Sequence, residues 1–180
     1  EALHLARTLT DLLPDEPEVL GLQALLLLHA ARLPAREDSV GGLIPLDEQD
    51  RSLWLHANIR EGKAQLSKAM GMRRPGPYQI QAAIAALHAD ASSTSSTDWT
   101  QIHALYGALI KQIDSPVIRL NRAMALSMTG DLDGAYQEVE ALVTSGTLND
   151  YQPLAAVRAD LARRRGDADG GRRRAGVRGQ

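Results

Sequence analysis

The 180-residue chain has no cysteine and no phenylalanine, and aromatic residues make up only 3% of it. The first absence rules out disulfides and thiolate metal sites and is compatible with a reducing compartment. The second means that the core must be built from Leu, Ala, Ile, Val and Met. That palette suits closely packed helices better than strands, which favour β-branched and aromatic residues. Long hydrophobic runs are missing too. The longest, ALLLLHAARL, is interrupted by His29 and Arg32, well short of the ~20 apolar residues a membrane span needs. No signal peptide is visible. Glu1 starts inside a helical pattern, so the chain reads as a piece of something longer.

Charge is nearly balanced overall, at −2, but not along the chain. Residues 163–180 hold seven Arg against two Asp, a balance of +5, which leaves −7 on the other 162 residues. An acidic body is a poor surface for phosphate backbones, which require cations spread over a folded face. The Gly/Arg-rich tail, 167–180, reads as a poorly ordered end whose DNA contacts would be non-specific.

What is present is helical periodicity with short breaks. EALHLARTLTDLL sets Leu5, Leu9, Leu12 and Leu13 on one face, and LPDEP stops it. Asp15 is placed to cap a second helix with Pro17 in its first turn. That helix, PEVLGLQALLLLHAARL, is apolar nearly all round and is expected to be the most buried. Residues 34–47 lose the helical period, and Gly41-Gly42 between short extended pieces suggests a turn or small hairpin. A helix resumes from Asp47 or Asp50, with Leu55, Ile59, Leu66 and Met70 as its apolar stripe. Pro75-Gly76-Pro77 opens the next. Asp98 with Gln101 forms a capping-box pattern before the helix of Trp99, whose large side chain is expected to be buried. Ser115-Pro116 starts another, Thr129-Gly130-Asp131 breaks it, and two more follow from Leu132 and from about Asp150. The fold class is therefore all-α: about eight helices stacked as antiparallel hairpins, with one long non-helical loop.

A weak repeat supports stacking. Ala123 precedes Gly130-Asp131 as Ala159 precedes Gly166-Asp167, and Ala135 and Val139 occupy the small and apolar positions of a following helix. In tetratricopeptide repeats of ~34 residues a small residue lets two helices approach and a Gly-polar pair makes the turn. An ordinary helical hairpin has the same pattern.

Chemistry is hard to find. His4, His29, His56, His88 and His103 have no carboxylate or second histidine at metal-ligand spacing, and there is no phosphate loop, His-Glu-x-x-His or nucleophile elbow. No catalytic residue, metal site or cofactor is expected, and the chain does not read as an enzyme. Asp47, Glu48 and Asp50 cluster before a helix, where acids usually serve its positive end. On the helix that follows Pro77, Tyr78, Gln81, Ala85 and His88 align at spacings of three and four. They read either as a polar brace to a neighbouring helix or as a row that meets a partner.

The strings LLPDEPEVLGLQALLLLHAAR, EQDRSLW, RRPGPYQIQAAIAALHA, TDWTQIHALYGAL, SPVIRLNRAMAL and YQPLAAVRADLARR, in this order, resemble the C-terminal tetratricopeptide-like extension of a group of bacterial extracytoplasmic-function RNA polymerase sigma factors. The resemblance covers roughly residues 1–166 and implies a right-handed helical solenoid in the cytoplasm. It implies regulation of transcription initiation through contacts with the sigma domains of the same chain or with core polymerase. Promoter recognition would lie in domains this chain lacks, so no specific DNA binding and no membrane contact are expected. A free-standing scaffold that binds peptides or proteins is the other reading. The matching strings mark Asp50, Arg51, Trp54, Arg74, Tyr78, Gln81, His88, Asp98, Trp99, Asn121 and Arg122 as interaction or structural residues. Among them, Asp50 and Arg51 are expected to pair, and Asn121 to bridge helices. After Gly166 the resemblance ends.

Overall fold

The computed structural model describes residues 1–38 and 40–177, with side chains through residue 166. It contains eight α-helices and, among the described residues, no strand: α1 (Ala2–Leu12), α2 (Pro17–Ala30), α3 (His56–Gly71), α4 (Pro77–Asp90), α5 (Trp99–Ile110), α6 (Pro116–Met128), α7 (Leu132–Ser145) and α8 (Gln152–Val177). The all-α reading holds. The chain divides into two units, Glu1–Asp98 and Trp99–Gln180.

The first unit is built round α2, against which α1, α3 and α4 all pack. Leu20, Ala24, Leu27 and Leu28 of α2 are buried, as expected of a helix with no polar face. Glycine sets how closely its neighbours approach. A Cβ on Gly21 would stand 2.8 Å from the backbone nitrogen of Gln79, and one on Gly62 would meet Leu28 and the carbonyl of Ala24 at 3.0 and 3.2 Å. A side chain at Gly21 would therefore push α4 off α2, and one at Gly62 would need its α2 neighbours to give by a few tenths of an ångström.

The face of α1 that carries the leucines is turned to solvent: Leu5 is 61% and Leu12 is 71% exposed, with Leu9 and Leu13 also exposed. The less exposed positions are Leu3, Ala6 and Thr10, again at helical spacing, and Ala6 is small enough to bring α1 onto α2. Leu55 and Met70 of the expected α3 stripe are exposed as well, while Ile59 and Leu66 are buried. Helix α2 is preceded by Glu16, not Asp15, and no side chain of its own caps it. Helix α3 starts only at His56, because Arg51–Leu53 form a single 3-10 turn capped by Asp50 and Trp54 then extends, with ψ 141°. The loop at 34–47 is a short turn with one antiparallel bridge, Glu37 to Leu43. Asp38 stabilises it by accepting from the backbone N–H groups of Val40 and Gly42 at 2.9 and 2.7 Å.

In the second unit each helix packs chiefly on its chain neighbour, α5 on α6, α6 on α7 and α7 on α8. Small residues make the approach: Ala123 of α6 and Ala135 of α7 are fully buried, with Val139 beside them. Between the two helices Gly130 adopts φ 100°, a left-handed conformation that glycine tolerates. Asp131 then caps α7 by accepting from Gly134 N–H at 2.9 Å. The first half of the repeat is thus present. The second is not, since Gly166 lies inside α8 and makes no turn, and Ala159 is exposed. Ser115 stands at the head of α6 but its side chain makes no capping bond. Trp99 is only half-buried; the large buried side chains of α5 are Ile102 and Leu109. For the tail at 167–180, the side chains lie outside the described residues, as does the backbone of 178–180.

Candidate functional site

The first unit holds a group of cationic and aromatic side chains where α2 and α4 end. Trp54, 4% exposed, is the buried tryptophan of the chain. It is drawn in because the 3-10 turn before it ends in extended backbone, which points the indole toward Ala31, Ala35 and Ala86 in the same core cluster. The guanidinium carbons of Arg51 and Arg32 lie over its ring, at 4.7 and 5.7 Å from the centroid. At these separations the ring's negative face attracts the cation.

Each arginine is further fixed. Arg51 donates through one terminal nitrogen to the carbonyls of His88 (2.6 Å) and Ala91 (2.8 Å). These are orphan acceptors at the C-terminal end of α4, where a cation also meets the negative end of the helix dipole. Arg32 donates through Nε to Oε1 of Gln49 at 3.2 Å. Gln49 is buried and donates in turn to the Ile44 carbonyl at 2.9 Å. The long loop is therefore tied to the end of α2 by a glutamine. Asp50 does not pair with Arg51, as was expected. Its carboxylate accepts from the N–H and hydroxyl of Ser52, which hold it below the usual carboxylate range.

The electrostatics follow from this geometry. His88 is pushed down to about 4, first by loss of hydration and then by the charges of Arg32 and Arg51. Its imidazole is neutral at physiological pH. His29 is lowered by the same causes, desolvation first and then Arg32 and Arg36. Arg32 itself is lowered by desolvation and by Arg36 and Arg51.

The other marked residues fall elsewhere. Arg74 donates to the carbonyl of Asp15 at 2.9 Å and so ties the start of α4 to the α1–α2 turn. Tyr78 is exposed, but its backbone N–H is received by Glu18. Gln81 bonds only to the Pro77 carbonyl one turn back. It is not the brace between helices. That role belongs to Gln79, which is buried and donates its amide to Glu18 Oε1 (3.0 Å) and the Arg74 carbonyl (2.8 Å). Glu18 of α2 receives the N–H groups of Tyr78 and Gln79 as well, at 2.8 and 3.2 Å, and so caps α4 from a different helix. Gly76 is required because its Cβ would fall 2.2 Å from the Glu18 carboxyl carbon. Along α4 Tyr78 is exposed, while Gln81 and His88 are partly buried. Asp98, the last residue of the first unit, is exposed; in the second unit Trp99 is half-buried, Asn121 is exposed and makes no helix-to-helix hydrogen bond among the described residues, and Arg122 pairs with Glu138 at 3.3 Å.

Residues missed from the sequence are Arg32, Gln49, Glu18 and Gln79. Only Glu18 carried a signal, as an acid in the first turn of α2, and that signal pointed to its own helix dipole, not to a helix sixty residues on.

Residues 1–70 match a family of unknown function, DUF6596. The matched segment contains Arg32, Gln49, Arg51 and Trp54 and stops before His88. Over 142 residues the chain is 51% identical to an uncharacterized protein of Rhizobium meliloti (strain 1021), covering 79% of this chain and 34% of that protein. The chain spans about a third of the length of that relative. No solved structure matches it significantly. Among the described residues no helix is long and apolar enough to cross a membrane.

Proposed function

We propose that the chain is the regulatory protein-interaction domain of an extracytoplasmic-function RNA polymerase sigma factor, and acts in the cytoplasm without catalysis of its own. Transcription initiation would belong to promoter-binding domains in a longer protein. The resemblance of its sequence strings to such extensions supports this reading, as does a relative of about three times the matched length. The observation that carries it furthest is the leucine ridge of α1. Leu5, Leu9 and Leu12 stand exposed at spacings of four and three, with exposed Leu13 next to them. A ridge of large apolar side chains on a helix is the kind of surface that proteins cover with one another.

The partner is a sigma domain of the same longer chain, or a subunit of core polymerase. The test is transcription from a cognate promoter by the full-length protein, with and without residues 1–166, and with Leu5→Glu and Leu12→Glu together. Both positions are exposed, so the double variant keeps its helical content. Deletion and double variant should each abolish or strongly reduce transcription, while the isolated chain shows no promoter-specific binding at physiological salt. Full transcription after deletion, or specific promoter binding by the isolated chain, removes the assignment. Unaltered transcription with retained peptide binding would favour a free-standing scaffold instead.

A further inference from the structure

The charged side chains on the ring of Trp54 are donors. Arg32 and Arg51 face its ring, Arg36 stands close enough to act on Arg32, and the indole Nε1 is buried without an acceptor. Two carboxylates near in sequence are turned to other tasks. Asp38 serves its own turn and Asp50 serves Ser52. Among the described residues no salt bridge joins Arg32, Arg36 or Arg51 to an acid, although eight other arginines have one. The two helix C-termini beside the cluster offset it only in part. Each end supplies roughly half a negative charge, against three guanidinium groups. A positive excess remains on a body that is otherwise acidic.

Arginines stacked on an aromatic ring keep their planar forks oriented, and such forks match the geometry of carboxylate and phosphate oxygens. Stacking also reduces the freedom lost when an anion arrives. We propose that Arg32 and Arg51, stacked on Trp54 and supported by Arg36, bind an oxyanion, a carboxylate or phosphate group carried either by a free small molecule or by an acidic peptide. Arg51 already spends one nitrogen on the end of α4, so bound anion and α4 are linked through the same guanidinium. Arg32 has its Nε engaged by Gln49, and its terminal nitrogens are the principal donors to the ligand. The site is independent of the leucine ridge on α1 and of any role in transcription.

Trp54 is itself the reporter. In the full chain carrying Trp99→Phe it is the sole tryptophan, and its fluorescence is followed during titration with inorganic phosphate and, separately, with a hexaglutamate peptide, both at constant ionic strength. A saturable change with either probe is expected, and the probe that binds more tightly identifies the source of the anion. Arg32→Gln in the same background should weaken binding about tenfold or more, the loss expected for a charge-assisted pair, with helical content unchanged. If Arg32→Gln disturbs the fold, exposed Arg36→Gln serves instead, with an expected loss of about twofold to threefold. No saturable change with either probe overturns the proposal. So does unchanged affinity in whichever arginine variant remains folded, because binding would then lie elsewhere, as on the arginines beyond residue 163.

Discussion

The two units bury their helices by different means. In Glu1–Asp98 one apolar helix, α2, is covered on several sides, and the polar side chains buried in the unit include Gln23, Gln49, Gln79 and Thr97 together with the indole of Trp54. In the unit that starts at Trp99 the helices meet in chain order through alanines, and its tryptophan is half-buried at the first residue. A core centred on one helix concentrates its stability in a few side chains that many elements share. A serial stack spreads stability over successive interfaces, each between near neighbours in sequence.

The tryptophans give the sharpest way to break this contrast. Trp54→Ala empties a core site and removes the surface under two arginines, and should cost about 3–5 kcal/mol in unfolding free energy. Trp99→Ala should cost less than half as much. Equal losses in denaturant unfolding would mean that the two cores are of one kind.

Next in size is Gly21→Ala, whose new methyl would meet Gln79 at 2.8 Å. Overpacking of this sort should cost about 1–3 kcal/mol, whereas Gly107→Ala in α5, with nothing within 4 Å of the added carbon, should be neutral or slightly stabilising through helix propensity. Thermal midpoints of the two variants make the comparison directly. Glu18→Ala, which removes the cap of α4 and one of the two acceptors of the Gln79 amide, should cost about 1–2 kcal/mol. Hydrogen exchange should then rise at Tyr78 and Gln79.

Acid separates the units further. An unfolded chain protonates His88 near the ordinary value of 6.5, the folded one only near 4. The unfolded state therefore binds more protons in that window, and stability falls as pH drops from about 6.5 towards 4, by on the order of 1 kcal/mol once partial solvent access is allowed for. His88→Gln should flatten this fall. Smallest of all, Gln81→Ala should change stability by no more than about 0.5 kcal/mol, since its one bond is to Pro77 in its own helix. A loss of 1 kcal/mol or more, about the value of a buried hydrogen bond, would restore Gln81 as a brace.

Much of the fold was legible. Proline at the first positions of α2, α4 and α6, and the Gly130-Asp131 break before α7, are local signals, and the helices lie where these put them. Periodicity was less reliable about direction. It put the leucines of α1 on one face but left open which way that face points, because spacing defines a face and says nothing of what that face meets. The start of α3 was misplaced because Asp50 caps a 3-10 turn as readily as an α-helix. At the candidate site, Arg51, Trp54 and His88 were marked by their strings, but their roles depend on partners far along the chain. Arg51 answers the end of α4, and Gln79, two residues from the expected Gln81, answers Glu18. A shift of two positions on a helix turns a side chain to another face, which no local pattern registers.

The sharing of α2 among its neighbours also sets a timetable for synthesis. Gln79, which donates to Glu18, comes 61 residues later, so at roughly 5–20 residues per second the ribosome delivers it about 3–12 s after Glu18. For that interval a fourteen-residue helix with four consecutive leucines, Leu25 to Leu28, has left the peptidyl-transferase centre before α3 and α4 exist to cover it. Even allowing for the length held in the exit tunnel, the apolar surface of nascent α2 stays uncovered until α3 and α4 follow, and slow translation through the 34–47 loop would lengthen that interval.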